Sequence, residues 1–213
     1  EEIFNRYQIK PKYILEMACG TGNLTYNLAK QRYNIVCFDL SSDMLSKAYD
    51  KLGRYKNVKI LNQNMVNFNL NKKFDTVISI CDSINYITKE DDLIECFKNV
   101  YNHLNKDGVF IFDINSYYKL RSIIGNNTFV EDRDDIYYIW QNYYDEETHI
   151  CEFYLTFFKQ NLDGSYHRFD EEHNERAYKV CDIIKMLQDV GFISIDIFEG
   201  FTFNEIKETT ERI

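Results

Sequence analysis

The chain has 213 residues, enough for one large domain or for one domain with a sizeable insertion. Its 25 basic and 34 acidic residues give a formal charge of 25 − 34 = −9, which disfavours broad binding to nucleic acid or to an anionic membrane surface. No apolar stretch reaches the roughly 20 residues of a membrane-spanning helix. Six scattered cysteines without a C-x-x-C pair predict a reducing, cytoplasmic compartment and no metal site.

The first half of the chain alternates short apolar runs with amphipathic stretches. Predicted strands lie at residues 13–18, 34–39, 58–61, 74–80 and 108–114. Predicted helices run from the glycine turn to residue 30, from Ser41 or Ser42 to residue 52, and from about residue 91 to 104. Strands rich in Val and Ile with intervening helices specify a parallel sheet covered on both faces. The pattern therefore predicts a doubly wound, mostly parallel α/β domain.

Aromatic residues are concentrated further along, with 13 of the 34 lying between residues 129 and 178. Three runs there are typical of antiparallel strands, at residues 136–144, 150–158 and 166–178, with a turn at 161–164 between the last two. A helical pattern returns at Val180–Val190, and residues 192–198 are predicted to form a final strand. The sequence thus predicts an α/β domain of residues 1–126 and 179–213, interrupted by an antiparallel β insertion at residues 127–178.

The first predicted strand runs directly into a glycine turn and then into a helix. Small residues at Ala18, Gly20 and Gly22 allow a ligand to lie against the backbone, and the helix N-terminus offers free N–H donors. Asp39, at the tip of the second strand, lies 19 residues beyond Gly20, and a carboxylate there can accept both hydroxyls of a ribose. The spacing predicts a nucleoside-containing cofactor at the carboxyl ends of the strands.

Two residues indicate which nucleoside cofactor the turn binds. A dinucleotide loop requires a small third residue at the position of Thr25. Glu16, inside the first strand, would repel a pyrophosphate but suits a positively charged amino-acid group. We therefore expect a cofactor with an ammonium group and no phosphate, with NAD and a dehydrogenase activity as the disfavoured alternative.

The motif Glu16-x-Ala18-x-Gly20-x-Gly22, followed by Asp39-Leu40-Ser41-x-x-Met44, resembles the class I S-adenosylmethionine-dependent methyltransferases. The resemblance covers residues 13–198 and implies a Rossmann-like methyltransferase fold, S-adenosylmethionine as the cofactor and S-adenosylhomocysteine as its product. It places the cofactor contacts at Glu16, Ala18, Cys19, Gly20, Gly22, Asn23, Asp39, Leu40, Met44, Asn64, Met65 and Cys81.

The resemblance also implies a role for several of these residues. Glu16 and the glycine loop would hold the methionine end, Asp39 the ribose, and Met44 would pack on the adenine. Asn64 stands where the family often has Asp beside the adenine amino group, and its side-chain oxygen can still accept a hydrogen bond. Cys81 fits either a small residue at a strand end or a reactive thiol, the former more readily because a preceding proline is absent.

Three residues are candidates for the chemistry. Tyr86 closely follows the fourth strand, in a segment without the proline motif of the family's nucleic-acid and protein branches. His173 and Arg176 belong to a stretch, Glu171-x-His173-x-x-Arg176-x-Tyr178, that resembles one in small-molecule members. For His173 two interpretations stay open: a general base or acceptor contact, or one residue of a solvated strand face with internal ion pairs.

These patterns together predict methyl transfer to an N or O atom of a small-molecule acceptor. The aromatic insertion would act as a cap that lines the acceptor pocket. The alternatives are a tRNA or protein methyltransferase, disfavoured by the negative charge, and a non-catalytic module that binds the cofactor. We expect a monomer or homodimer without membrane attachment. The family also implies a longer N-terminal lid and a seventh strand, so we expect parts of both ends to be missing from this chain.

Overall fold

The computed structural model describes residues 1–213 and shows two compact units. The first unit contains Glu1–Ile84, Asp91–Asp113 and Met186–Ile193. The second contains Asn85–Glu90, Ile114–Lys185 and Ser194–Ile213. The second unit contains the predicted insertion, residues 127–178, together with the short piece Asn85–Glu90 and the C-terminal segment. The predicted division of the chain into domains stays a prediction.

The first unit contains a five-stranded parallel sheet, which confirms the predicted fold class. The strand order is β3-β2-β1-β4-β5. Its strands are β1 (Tyr13–Met17), β2 (Asn34–Asp39), β3 (Val58–Asn62), β4 (Phe74–Ser79) and β5 (Leu104–Phe112). The sequence order reverses at β1, so the carboxyl ends of β1 and its neighbours form the crevice where open α/β sheets bind ligands.

The helices of the chain are α1 (Glu2–Arg6), α2 (Asn23–Lys30), α3 (Ser42–Leu52), α4 (Glu90–His103) and α5 (Val180–Val190). Of the two predicted caps for α3, Ser41 is the one used, because its hydroxyl accepts a hydrogen bond from the Met44 N–H at 3.3 Å. Apolar side chains of β1, β2 and β4 pack with those of α2 and α3 into one buried cluster of the first unit. This packing holds α2 and α3 against the sheet.

The second unit contains a four-stranded antiparallel sheet in the order β6-β7-β8-β9. Its strands are β6 (Thr128–Arg133), β7 (Ile136–Asp145), β8 (Ile150–Gln160) and β9 (Tyr166–Arg176). The predicted turn joins β8 to β9 and places Gly164 at a φ of 85°. Tyr144, Cys151 and Phe153 on one face of this sheet are buried with Leu120 and Ile124 of a short helical segment, Lys119–Ile124.

Three features of the second half differ from the sequence prediction. The strand β6 and the helical segment Lys119–Ile124 were not predicted, because their short apolar patterns are weak by themselves. The predicted strand at residues 192–198 is wrong, since that segment joins neither sheet. Its alternating pattern finds no strand to pair with: Phe192 packs edge-on against Tyr101, with ring centroids 5.3 Å apart, while Ile193 is 96% exposed.

None of the helices combines the length and the apolar character that crossing a membrane requires.

Candidate cofactor and acceptor sites

The glycine turn after β1 has a backbone that only particular residues accept. Gly20 and Gly22 have φ values of 53° and 75°, in the left-handed region that favours glycine. A Cβ at Gly22 would lie 2.6 Å from Cδ1 of the buried Leu52, whereas a Cβ at Gly20 would meet nothing within 4 Å. A side chain at Gly22 would therefore force Leu52 to move, whereas Gly20 leaves open space against the backbone where a ligand can lie.

The Asp39 carboxylate joins the glycine turn to the start of α3. Its Oδ2 accepts a hydrogen bond from the Gly20 N–H at 2.8 Å, and its Oδ1 accepts one from the Ser41 N–H at 2.9 Å. A carboxylate has about four acceptor positions, so two remain for ribose hydroxyls. Sequence reasoning missed Asn62, whose Nδ2 donates to the carbonyl oxygens of Asp39 and Leu40 at 3.0 and 2.9 Å. The position of this polar residue at the carboxyl end of β3 is the sequence signal that could have identified it as part of the site.

Glu16 is a carboxyl group buried in the middle of the sheet. It lies on β1 between β2 and β4 and is 3% exposed. Burial raises its pKa from 4.5 to about 7; the hydrogen bond from the Thr25 hydroxyl opposes this rise, and the nearby Asp39 carboxylate adds to it. The Thr25 Oγ1 lies 2.5 Å from Glu16 Oε2. Near neutral pH, this carboxyl group can therefore gain or lose a proton readily.

The two cysteines of the predicted cofactor site differ in their surroundings. Hydrogen bonding with the Cys37 thiol and burial raise the pKa of Cys19, so this thiol stays protonated and packs as a small apolar group. Cys81 is exposed just after β4, and Cys81 and Asp82 have φ values of 60° and 54°. Two successive non-glycine residues in the left-handed region are uncommon and mark this turn as a constrained one.

Two apolar side chains that follow Asp39 in the chain belong to the predicted cofactor contacts. Leu40 and Met44 are 68% and 44% exposed, so they present apolar surface that a purine ring can cover. The Asn64 Oδ1 accepts a hydrogen bond from the Val66 N–H at 2.8 Å, so the oxygen predicted to contact adenine already has a local partner. The roles of Asn64, of its neighbour Met65, and of Asn23, whose Oδ1 accepts from the Lys51 ammonium, stay predictions.

These features fit S-adenosylmethionine chemically. Glu16 offers a carboxylate for an ammonium group, Asp39 offers acceptors for a ribose, and Leu40 with Met44 offers apolar surface for a base. The left-handed Ala18 and the open space at Gly20 form a cradle between them.

In the second unit, Tyr86 and His173 lie in contact. The Tyr86 Oη is 3.5 Å from His173 Nδ1, and the two rings meet edge-on with centroids 5.8 Å apart. On the other side of the imidazole, His173 Nε2 lies 3.4 Å from Glu171 Oε2. A histidine between a phenol and a carboxylate has the partners that orient a general base. The structure thus brings together Tyr86 and His173, two residues predicted from separate parts of the sequence.

Arg176, the third predicted catalytic residue, is held by other groups of the second unit. Its guanidinium donates to the carbonyl oxygen of Thr88 at 3.1 Å and to Glu90 Oε1 at 2.5 Å. The Tyr178 hydroxyl donates to the carbonyl oxygen of Ile87. These contacts attach the end of β9 to the segment that follows Tyr86. Such contacts suit a role for Arg176 in holding the segment after Tyr86 in place.

Known proteins that resemble this chain are methyltransferases. Residues 14–108 match the sequence family described as a methyltransferase domain. A putative methyltransferase of Geobacillus sp. (strain WCH70), GWCH70_2453, is 35% identical over 203 residues, covering 95% of this chain and 82% of that protein.

Two solved structures illustrate the likeness in three dimensions. An S-adenosylmethionine-dependent methyltransferase from Clostridium acetobutylicum ATCC 824 is 42% identical, with a TM-score of 0.92 over 99% of this chain and 85% of that one. The amino pentose methyltransferase CalS10 of Micromonospora echinaspora, solved with S-adenosylmethionine bound, is 14% identical, with a TM-score of 0.77 over 95% and 84%. This second likeness concerns the fold alone.

Proposed function

Because the chain belongs to the class I S-adenosylmethionine-dependent methyltransferases, we propose that it transfers a methyl group to a nitrogen or oxygen atom of a small-molecule acceptor. The observation that carries this proposal is the contact of Tyr86 with His173, and of His173 with Glu171, in the second unit. With these two partners, His173 can take up the proton that an amine or a hydroxyl releases. The cofactor, when bound, supplies an electrophilic methyl group on a sulfonium sulfur.

We assign cofactor binding to residues of the first unit. The carboxylate of Glu16 pairs with the ammonium group of the methionine end, and the two remaining acceptor positions of Asp39 take the ribose hydroxyls. The exposed side chains of Leu40 and Met44 cover one face of the adenine. Ala18, Cys19, Gly20 and Gly22 supply the backbone against which the cofactor lies, as the family motif implies.

We assign acceptor chemistry to His173 with Tyr86. A methyl acceptor needs a free lone pair, so a protonated amine or a hydroxyl must lose a proton before or during transfer. That proton passes to the Tyr86 oxygen while the Tyr86 hydroxyl passes its own proton to His173 Nδ1, and the Glu171 carboxylate beside Nε2 stabilises the imidazolium that forms. Arg176 acts as a positioning residue, because its guanidinium is bound to Thr88 and Glu90.

Charge and composition support a small acceptor. A net charge of −9 and the four acidic residues from Asp170 to Glu175 on β9 repel phosphate groups, which argues against a tRNA substrate. CalS10, which shares the fold, is an amino pentose methyltransferase, and its acceptor is of the class proposed here. None of the six cysteines forms a disulfide, and a cytoplasmic compartment stays our expectation. A monomer or homodimer stays our expectation.

The experiment is incubation of the purified chain with isotope-labelled S-adenosylmethionine and a metabolite extract, followed by mass spectrometry. The matched control is His173→Ala, which keeps every proposed cofactor contact. The proposal predicts a labelled small molecule that forms with the wild-type chain and far more slowly with the variant. Label that appears only in RNA or protein would contradict it. Cofactor binding without any labelled product across a broad acceptor panel would favour the non-catalytic alternative.

A further inference from the structure

Asn85 is a buried side chain of the second unit whose amide group contacts two distant segments of the chain. It is 0% exposed. Its Nδ2 donates to the carbonyl oxygens of Asn115 and Arg176, each at 3.0 Å, and its Oδ1 accepts from the Asn115 N–H at 3.0 Å. Both amide hydrogens and the amide oxygen are therefore used within the protein.

The surroundings of Asn85 match a carboxamide and no smaller or charged group. Two carbonyl oxygens and one N–H face this side chain, and a carboxamide is the side-chain group that offers two donors and one acceptor together. An aspartate would place one carboxylate oxygen, with no proton to donate, against both carbonyl oxygens. An apolar residue would take away the partner that three backbone groups have in this side chain, which destabilises the folded chain.

The same hydrogen bonds place the two members of the proposed acceptor site. Tyr86 follows Asn85 in the chain, and Arg176 lies three residues beyond His173 on β9. The Tyr86–His173 distance of 3.5 Å is already at the outer limit of a hydrogen bond, so a small backbone shift would separate the two groups. Asn85 thus joins the two segments whose spacing decides whether Tyr86 reaches His173.

Asn115 extends this connection to a second point on β9. Its Nδ2 donates to Glu175 Oε2 at 2.8 Å, and its Oδ1 accepts from the Lys119 ammonium at 2.9 Å. Glu175 is itself buried. The Asn85–Asn115 pair is therefore attached to β9 at two successive residues, Glu175 and Arg176, which fixes the direction of the strand as well as its distance.

We propose that Asn85 is a positioning residue for methyl transfer, which holds Tyr86 against His173 through the backbone of β9. This inference rests on the proposed function of the Tyr86–His173 pair. It assigns Asn85 no contact with the cofactor or the acceptor. A further consequence is that the effect of removing Asn85 must pass through Tyr86.

The first test is nuclear magnetic resonance of the full chain with S-adenosylhomocysteine present, measuring the nuclear Overhauser effect between the His173 and Tyr86 rings. Asn85→Ala should lose this signal. The ring contact of His149 with Tyr117, whose centroids are 5.5 Å apart in the same unit, should persist and serves as the internal control for folding.

Asn57 offers a matched control variant in the first unit. Its Nδ2 also donates to two carbonyl oxygens, that of Ala29 in α2 at 3.1 Å and that of Tyr33, the residue before β2, at 2.7 Å. Asn57→Ala should keep the His173–Tyr86 signal. Should Asn85→Ala fail to fold, Asn85→Ser keeps one donor and one acceptor and is compared in the same way. A His173–Tyr86 signal that survives in a folded Asn85 variant would overturn the proposal, as would its loss in Asn57→Ala.

The second test is a double-mutant cycle on the transfer rate, using the acceptor found in the metabolite screen. Asn85→Ala should lower kcat about 10- to 100-fold, the loss typical of a misplaced group, and leave the affinity for S-adenosylhomocysteine unchanged. In a Tyr86→Phe background it should cause little further loss. Full additivity would contradict the inference. If Tyr86→Phe and His173→Ala do not slow transfer, the proposed function is wrong. The positioning of Tyr86 against His173 by Asn85 is then tested by the ring contact alone.

Discussion

The Thr25 hydroxyl donates a hydrogen bond of 2.5 Å to the buried carboxyl of Glu16. Thr25 is the residue that departs from a dinucleotide-binding loop, and in the structure it is the partner of the acid expected to hold the ammonium group of the cofactor. Thr25 therefore both distinguishes this turn from a dinucleotide-binding loop and hydrogen-bonds the buried carboxyl of Glu16. The chemistry of this pair is the source of two predictions.

The first prediction concerns stability without cofactor. The folded chain keeps a proton on Glu16 up to about pH 7, whereas the unfolded chain loses it near 4.5. The free energy of unfolding should therefore fall as the pH rises from 4.5 to 7 and level off above it. Glu16→Gln, which carries no charge, should be more stable than the wild-type chain at pH 8, by an amount on the order of 3 kcal/mol at most. Urea unfolding at pH 4.5 and pH 8 measures this difference, and equal gains at both values would contradict it.

The second prediction concerns the pH dependence of cofactor binding. An ammonium group pairs with the ionised carboxylate, so the affinity for S-adenosylhomocysteine should weaken as the pH falls below about 7. Glu16→Gln should bind weakly and without this slope. Thr25→Val should move the midpoint to higher pH, because the hydrogen bond that lowers the pKa of Glu16 is lost, while Thr25→Ser keeps it. Calorimetric titrations between pH 5.5 and 8.5 test this set. A wild-type affinity that does not change over the range would refute the assignment.

The third prediction separates the two glycines of the turn. Gly22→Ala should lower the free energy of unfolding by about 2–4 kcal/mol, since the new methyl group adds overpacking against Leu52 to the strain of a left-handed residue. Gly20→Ala should lower the free energy of unfolding by only about 1–2 kcal/mol, the strain of a left-handed residue, because its methyl group points into open space. Gly20→Ala should instead weaken the affinity for S-adenosylhomocysteine more than Gly22→Ala does. Denaturation and binding measured on both variants should show opposite rankings, and the same ranking in both assays would argue against a ligand at Gly20.

The glycine turn and its place in the fold could be predicted from sequence because its residues lie close together along the chain. Ala18, Gly20 and Gly22 follow one strand and Asp39 ends the next, so local spacing is enough to place them, while their contacts with a cofactor stay a prediction. The buried contacts of the second unit could not be predicted in this way. Asn85 meets residues 30 and 91 positions away, and Asn115 meets Glu175 at a separation of 60. Such pairs arise from tertiary packing, and an isolated Asn in a sequence gives no sign of its partners.

The segment 192–198 has a strand pattern in its sequence but forms no strand in the structure. Its alternation of apolar and polar residues is a normal strand signal, but a strand also needs a neighbour with free N–H and C=O groups. Phe192 instead packs its ring against Tyr101 and Phe110. By contrast, the aromatic runs of β7 and β8 pair over ten residues, since a tight connection brings them together.

The division of roles between the two units is tested most directly by calorimetric titration of S-adenosylhomocysteine, with NAD as competitor, into the wild-type chain, Asp39→Ala and His173→Ala. Asp39→Ala should lose the ribose contacts and bind about 100-fold more weakly or worse, as expected when hydrogen bonds to a charged group are lost. His173→Ala should bind as the wild-type chain does, and NAD should not compete. Preference for NAD, or an equal loss of affinity in both variants, would contradict this division.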